Sequence, residues 1–390
     1  MTHRIVVAGG GYAGLVTATR LAYRTSPSDV RITVVNGRPQ FVERVRLHQL
    51  MAGQRLRGTS IAQLVAGTGI DVVIDHITGI DAEARLVHLA GSPDLQYDTL
   101  VYALGSGIGR TDVPGAAEHA YALADLASAE TAAADIRSIA AAGGTVTIVG
   151  AGASGIEAVA ELAESLPSLH VQLVSADEPG SWLSERGRDH LRATFDRLGV
   201  AVHAGSPVRA VCSEGTHLGD ELLPSDAVIW AAGLRVPPTA FEAGITTDVD
   251  GRIRTDSTLR SISHPEIYGV GDAALVHTPE GPPVRMGCGT GMPMGFRVAD
   301  TIAARIAGKP GSPHLPRYYL QNLSLGRRDG LIQVLHRDDS PRNAVLTGRP
   351  AAAFKEAVVR GTLIAIRHPR LYVAPPPARR KCDVAHTAHP

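Results

Sequence analysis

Apolar positions along this chain fall into two alternating rhythms. Ile5, Val6, Val7 and Ala8 form a short unbroken apolar run, the mark of a strand buried on both faces of a parallel sheet. A glycine-rich turn follows, and then Leu15, Ala18 and Leu21 recur at helical spacing. "VRITVVNGRP" supplies a second strand ending in a turn, which completes a βαβ unit. The middle of the chain repeats the pattern. "GTVTIVGAGASGIEAVAELAESL" reads as strand, turn and a helix with Ile156, Val159 and Leu162 on one face, and "LHVQLVSADEPG" as the next strand. Two copies in one chain are a partial internal duplication, firmer evidence than either alone.

Two further strand-turn segments resemble each other. "YDTLVYALGS" and "PSDAVIWAAGLRVPP" each run from an acidic residue through apolar residues to a small-residue end, where the chain can pass close beneath a ligand. "SHPEIYGVGDAALV" adds a strand ending at Gly271-Asp272. Beyond Gly308 the texture changes. "GKPGSPHLPR" is a linker, "YYLQNLSLGRRDGLIQVL" reads as a hairpin, "AAAFKEAVVRGTLIAIRHPR" as a helix and "APPPARRKCDVAHTAHP" as a disordered tail.

Charge narrows the field. The 38 basic and 38 acidic residues balance, so no nucleic-acid partner is expected. Met1-Thr2-His3-Arg4 leads straight into the first strand, leaving no room for a signal segment. No apolar stretch approaches the roughly 20 residues a membrane span needs. Cys212, Cys288 and Cys382 are far apart, so neither a disulfide framework nor a metal site is expected. A cytoplasmic, reduced protein is the expectation.

The glycines carry the chemistry. Gly9, Gly11 and Gly14, and again Gly150, Gly152 and Gly155, stand at GxGxxG spacing between strand and helix. The first glycine permits the tight turn, the second lets backbone approach a pyrophosphate, and the third lets helix and strand pack. The helix N-terminus then offers unpaired N–H groups to the phosphates. Two nucleotide sites in one chain suggest two cofactors that exchange electrons.

With "VVAGGGYAGL", "YDTLVYALGS", "DVPGAAEHAYAL", "IVGAGASGIEAVAEL", "VIWAAGLRVPP" and "IYGVGDAA" in order, the chain resembles the two-dinucleotide-binding flavoproteins, which include the pyridine nucleotide–disulfide oxidoreductases. Within them it looks most like type II NADH dehydrogenases and apoptosis-inducing-factor-like proteins. The resemblance implies an α/β fold of two Rossmann-like domains, the NAD(P) domain inserted in the FAD domain, plus a small α+β C-terminal region. The boundaries it suggests are 1–116 and 241–309 for FAD, 117–240 for NAD(P), 310–374 for the α+β region and 375–390 for the tail. FAD would meet Gly9, Gly11, Tyr12, Ala13, Gly14, Asn36, Arg38, Arg44, Ile77, Ala103, Gly105, Gly271 and Asp272. NADH or NADPH would meet Gly150, Gly152, Ala153, Ser154, Gly155, Ser175, Ala232 and Gly233. Glu157 matches a glutamate near the nicotinamide in such enzymes, and His48 and Cys288 are candidates for the flavin side.

Three departures shape the functional expectation. Asn36 stands where a ribose-binding acid is usual, and can accept only as a neutral amide. Ser175 replaces the second acid; Asp177 or Glu178 could substitute, or Arg186 and Arg188 could reach a 2′-phosphate, so NADH and NADPH both stay open. "RMGCGTGMPMGFRVAD" lacks the Ala-Gln element found near the quinone in type II dehydrogenases. A disulfide reductase is excluded more firmly, because "VERVRLHQLMAG" holds no cysteine pair to relay electrons. The expected activity is hydride transfer from NAD(P)H to FAD, then electron transfer to a small acceptor, with a quinone as one candidate. A soluble enzyme acting on a specialised metabolite or partner protein, and a slow flavin-holding redox sensor, are the alternatives. A homodimer is open. So is peripheral contact with the inner face of the cell membrane through the helix from Pro350 to Arg367; there Phe354, Val358, Leu363 and Ile364 are flanked by Lys355, Arg360, Arg367 and Arg370. The same helix could instead pack on its own hairpin.

Overall fold

Two five-stranded parallel sheets organise the chain in the computed structural model, which describes residues 2–109, 112–277, 282–314 and 316–371. The first sheet runs 267–269, 99–102, 3–8, 30–36, 71–74. The second runs 120–122, 227–230, 145–149, 170–174, 201–203. Every neighbouring pair in both is parallel. The α/β class with two Rossmann-like units therefore holds, and the second sheet lies in sequence wholly between strands of the first.

The resemblance between the two Ala-Gly segments has a structural basis. Thr99–Tyr102 pairs with strand His3–Ala8 as Ala227–Trp230 pairs with Thr145–Val149. The acid opening each segment clamps the start of its glycine-turn strand. Asp98 accepts from the Arg4 N–H at 2.7 Å, and Asp226 from the Thr145 N–H at 2.7 Å. A carboxylate satisfies backbone donors at the sheet's lower edge that would otherwise have no ladder partner.

Where the chain leaves the first unit and where it returns, Gly107–Ile108 and Leu234–Arg235 pair antiparallel as a short ribbon. Helix Tyr12–Arg24 lies against helix Cys288–Ile306. Their approach depends on small residues, since a Cβ at Gly295 would stand 2.6 Å from the Ala13 carbonyl oxygen.

The core of the central unit draws on the whole chain. Leu47 and Met51, on the short helix Leu47–Met51, are fully buried among Ile136, Ile148, Ile156 and Val159. Leu323, Leu325 and Leu331 of the C-terminal region enter the same cluster. Burying a side chain of this size contributes roughly 1.5–3 kcal/mol, so three regions distant in sequence are fastened together by apolar contact.

The C-terminal region differs from the expected hairpin. It is a three-stranded antiparallel sheet, Leu320–Ser324, Gly330–Leu335 and Pro341–Thr347, followed by helix Gly348–Arg367. The third strand begins with a proline and is mostly exposed, which suits an edge strand and hides it from apolar-pattern reading. Asp329, in the first turn, accepts from His190 at 3.0 Å, Thr194 at 3.2 Å and the Gly348 N–H at 3.0 Å. The expected disordered tail, 375–390, and residues 372–374 of the expected α+β region lie outside the described residues.

Candidate functional site

Both glycine turns face one groove of roughly 1020 Å³. In the first, a Cβ at Gly9 would stand 2.4 Å from the Ala103 carbonyl oxygen, and one at Gly14 would stand 1.9 Å from that of Gly9. In the second, a Cβ at Gly155 would stand 1.8 Å from the Gly150 oxygen. Gly9 and Gly150 also hold φ of +111° and +105°, conformations that side chains disfavour. The middle glycines behave differently: nothing lies within 4 Å of a Cβ at Gly11 or Gly152. The space a side chain would take is therefore open at the point where a pyrophosphate must approach, directly ahead of each helix. Both turns fit a dinucleotide.

The groove is lined by Gly9, Gly11, Tyr12, Ala13, Asn36, Arg44, Ile77, Ala103, Gly105, Gly271 and Asp272 on one side. Gly150, Gly152, Ala153, Ser154, Ser175, Ala232 and Gly233 line the other, and His48, Glu157 and Cys288 also reach it. Gly14 and Gly155 sit behind their turns as packing positions. Arg38 is exposed at the edge of this region, outside the groove lining, and its carbonyl accepts from the Asn36 side chain at 2.7 Å. Asn36 in turn accepts from the Gly10 N–H at 3.0 Å, so its amide braces the glycine turn. Asp177 and Glu178 line the groove beside Ser175, whereas Arg186 and Arg188 do not; Arg188 donates to the Leu183 carbonyl at 2.7 Å.

Asp272 lies in a short 3-10 turn, Gly271–Ala273. It accepts from Ser106 Oγ at 2.6 Å and from the Gly287 N–H at 2.7 Å, with Arg44 at 3.9 Å. Its carboxylate therefore joins the end of one strand, a loop of the first unit and the N-terminus of helix Cys288–Ile306. Asp272 thereby accepts from the N–H at the start of a helix distant in sequence.

Glu157 is buried just past the first turn of helix Ala153–Ser165. Its Oε1 accepts from the Ser324 N–H at 3.0 Å and forms an ion pair with Lys355 Nζ at 3.0 Å. Among the described residues, Oε2 has no hydrogen bond. Lys355 also donates to the Asn322 carbonyl and side chain at 3.2 and 3.1 Å. Sequence reading placed Lys355 among the flanking cations of its helix; the structure turns it inward. The signal was its position on the buried stripe Ala351, Lys355, Val359, Thr362, Ile366, where a lysine at an otherwise apolar spacing demands a partner.

His48 is buried beside Glu161, Nε2 to Oε2 4.0 Å, and neither atom has a hydrogen-bond partner. Burial holds the imidazole down to about 4 despite the nearby Glu157 carboxylate, with Lys355, Arg327 and Arg46 adding to the depression. Burial also moves the Glu161 carboxyl upward, against the pull of Arg327 and a hydrogen bond from Gln54. Arg46, two residues before His48, is spent on Glu43 at 3.1 Å and Glu356 at 2.8 Å. The thiol of Cys288, half-buried at a helix start, is raised chiefly by burial, which keeps it protonated and unreactive. Cys212 and Cys288 are free.

Sequence reading missed a second cavity of roughly 890 Å³ beyond Cys288. Its walls come from residues 284–290, Pro293, Arg297, His314, residues 316–322, Asp339 and Val358. It shares Gly152, Ala153, Trp182, Met286, Gly287 and Cys288 with the groove. The two spaces meet at one wall.

This pairing of glycine turns over a common groove is the architecture of a two-cofactor flavoprotein. Residues 3–299 match the family pyridine nucleotide-disulphide oxidoreductase, and the chain belongs to it. It is 27% identical over 377 residues to an NADH dehydrogenase-like protein of Mycobacterium tuberculosis, covering 91% of this chain and 92% of that one. It is 26% identical to a demethylphylloquinone reductase of Synechocystis over 84% of this chain and 86% of the relative. Among solved structures, the sulfide:quinone oxidoreductase of Aquifex aeolicus superposes with a TM-score of 0.80 at 19% identity, covering 94% of this chain and 92% of that one. NDH2 of Plasmodium falciparum in complex with NADH gives 0.77 at 14% identity, covering 96% and 99%. The chain is thus an FAD-dependent NAD(P)H oxidoreductase.

Proposed function

We propose that this enzyme passes electrons from NADH to a small quinone-like acceptor, and that the acceptor enters the cavity beyond Cys288. The observation that carries the reading is the shared wall. One side of Met286, Gly287 and Cys288 belongs to the dinucleotide groove and the other to a separate, largely apolar space. Donor and acceptor can then approach the reacting centre from different directions. Bound FAD supplies the redox chemistry, taking hydride from the nicotinamide and yielding electrons to the acceptor.

The chain's own residues hold and orient. Gly11 and Gly152 admit the pyrophosphates, with the helix N-termini behind them. Asp272 fixes the Ser106 loop and Gly287 against the flavin side. Glu157, neutralised by Lys355, offers Oε2 as a hydrogen-bond acceptor at the nicotinamide end. Asp177 and Glu178 favour NADH over NADPH, because a 2′-phosphate beside two carboxylates is repelled.

The test is anaerobic. Purified yellow protein is mixed with NADH, then with NADPH, and the flavin absorbance is followed; re-oxidation is then timed with a short-chain quinone. Rapid bleaching by NADH followed by rapid re-oxidation supports the reading. Bleaching without re-oxidation by any quinone removes the acceptor.

A peripheral membrane contact is supported by one further observation. Among the described residues, seven of sixteen exposed large hydrophobic side chains fall in the C-terminal region: Tyr319, Leu320, Leu346, Phe354, Val358, Ile364 and Leu371. Helix Gly348–Arg367 contacts its own sheet and helix Tyr12–Arg24 and buries Ala351, Val359, Thr362 and Ile366, yet still leaves Phe354, Val358 and Ile364 outward. No described helix is long and apolar enough to cross a membrane. Sedimentation with phosphatidylglycerol vesicles, lost in Phe354→Asp with Ile364→Asp, would support the contact.

A further inference from the structure

The cavity beyond Cys288 has an uneven charge. Arg285, Arg297 and Arg317 all line it, and among the described residues Asp339 is its one carboxylate. Asp339 is already spent. It accepts from Arg285 Nη2 at 2.6 Å, and Arg285 also reaches Gln321 at 2.6 Å and stacks over Tyr318, 5.1 Å from the ring centre. Arg297 and Arg317 are half-buried, and neither has a carboxylate or hydrogen-bond partner among the described residues. His314, which also lines the cavity, is held to about 4, chiefly by burial and also by the charge of Arg297, so it stays neutral beside the two arginines. Two guanidinium groups without partners, against apolar walls, incur a desolvation cost that a protein seldom leaves unanswered.

The walls state the rest of the ligand. Pro293, Tyr318, Leu320 and Val358 offer flat apolar surface beside the cationic end. Resting on the reading of this cavity as the acceptor's, we propose that it binds a flat ring bearing an anionic group, with Arg297 and Arg317 clamping the anion and the ring lying toward Cys288. Guanidinium forks suit carboxylate and phosphate oxygens alike. The acceptor class is then an acidic quinonoid or related aromatic compound, rather than only a neutral lipid quinone.

The test uses redox-inert probes on oxidised, flavin-loaded protein. 2-Naphthoate and its uncharged amide are titrated calorimetrically against wild type, against Arg297→Gln with Arg317→Gln, and against the corresponding double lysine variant. Naphthoate should bind at least about tenfold more tightly than the amide, as expected for a partly desolvated charge pair. The glutamine variant should lose that preference and the lysine variant should recover part of it. Equal affinities, no naphthoate binding, or a preference that survives in the glutamine variant would each overturn the proposal. Leu320→Trp, which narrows the apolar wall of the cavity, should change the naphthoate affinity at least about threefold; an unchanged affinity would place the probe elsewhere and overturn the proposal as well. The acceptor reading is struck separately: re-oxidation of pre-reduced protein by a neutral short-chain quinone that is as fast in Leu320→Trp as in wild type would remove it, whatever the naphthoate result.

Discussion

Lys355 Nζ stands 3.0 Å from Glu157 Oε1, so the C-terminal helix reaches across to the helix behind the second glycine turn. Removing the lysine strands a buried carboxylate. Lys355→Met should lower the melting temperature by several degrees, since breaking a buried pair from one side costs on the order of 3 kcal/mol. It should also slow flavin bleaching by NADH. Adding Glu157→Gln should recover most of the stability, because the orphaned charge is then gone. Calorimetry of the two variants decides; equal melting points in Lys355→Met and wild type would show that the pair contributes nothing.

The glycines of the second turn should separate by role. Gly152→Ala meets no protein atom and should melt as wild type does and keep its flavin, yet raise KM for NADH about tenfold or more, because the new methyl occupies the phosphate approach. Gly155→Ala forces a Cβ to 1.8 Å from a backbone oxygen and should be less stable before any ligand is added. Melting curves beside steady-state kinetics distinguish the two behaviours.

Cofactor choice should follow the acids beside Ser175. Glu178→Arg replaces a repelling carboxylate with a cation able to hold a 2′-phosphate, and should raise kcat/KM for NADPH relative to NADH by about tenfold or more. An unchanged ratio would mean that the adenosine end lies away from Asp177 and Glu178.

His48 gives the fold an acid sensitivity of predictable sign. Its imidazole is neutral in the folded protein down to about 4, whereas an unfolded histidine takes up a proton near 6.5. Between those values the unfolded chain binds more protons, so stability falls as pH drops through that window. The loss by pH 5 is on the order of 2 kcal/mol for a shift of this size. His314 shifts in the same direction, so His48→Gln should flatten the decline in melting temperature between pH 7 and 5 without abolishing it.

The inner strands of both sheets were legible because each is a short apolar run closed by a turn, whereas the edge strands 71–74, 120–122 and 201–203 were not read. Most of the groove followed, since Gly9, Gly11, Gly150 and Gly152 are read by spacing alone. What could not be read was convergence from afar. Nothing near Glu157 in sequence announces Lys355, and nothing near Cys288 announces Arg317 or Asp339. Pro341–Thr347 was invisible because an exposed edge strand has no apolar rhythm to display.

The short ribbon of Gly107–Ile108 and Leu234–Arg235 places the entrance and exit of the central unit next to each other. An intervening segment whose two ends are neighbours can be excised and replaced as a cassette without stretching its host. The replacement would have to carry an acid where Glu157 stands and a pocket for Leu47 and Met51, because the surrounding protein docks there. Chimeras made at this junction would then swap coenzyme preference while leaving flavin and acceptor chemistry with the recipient.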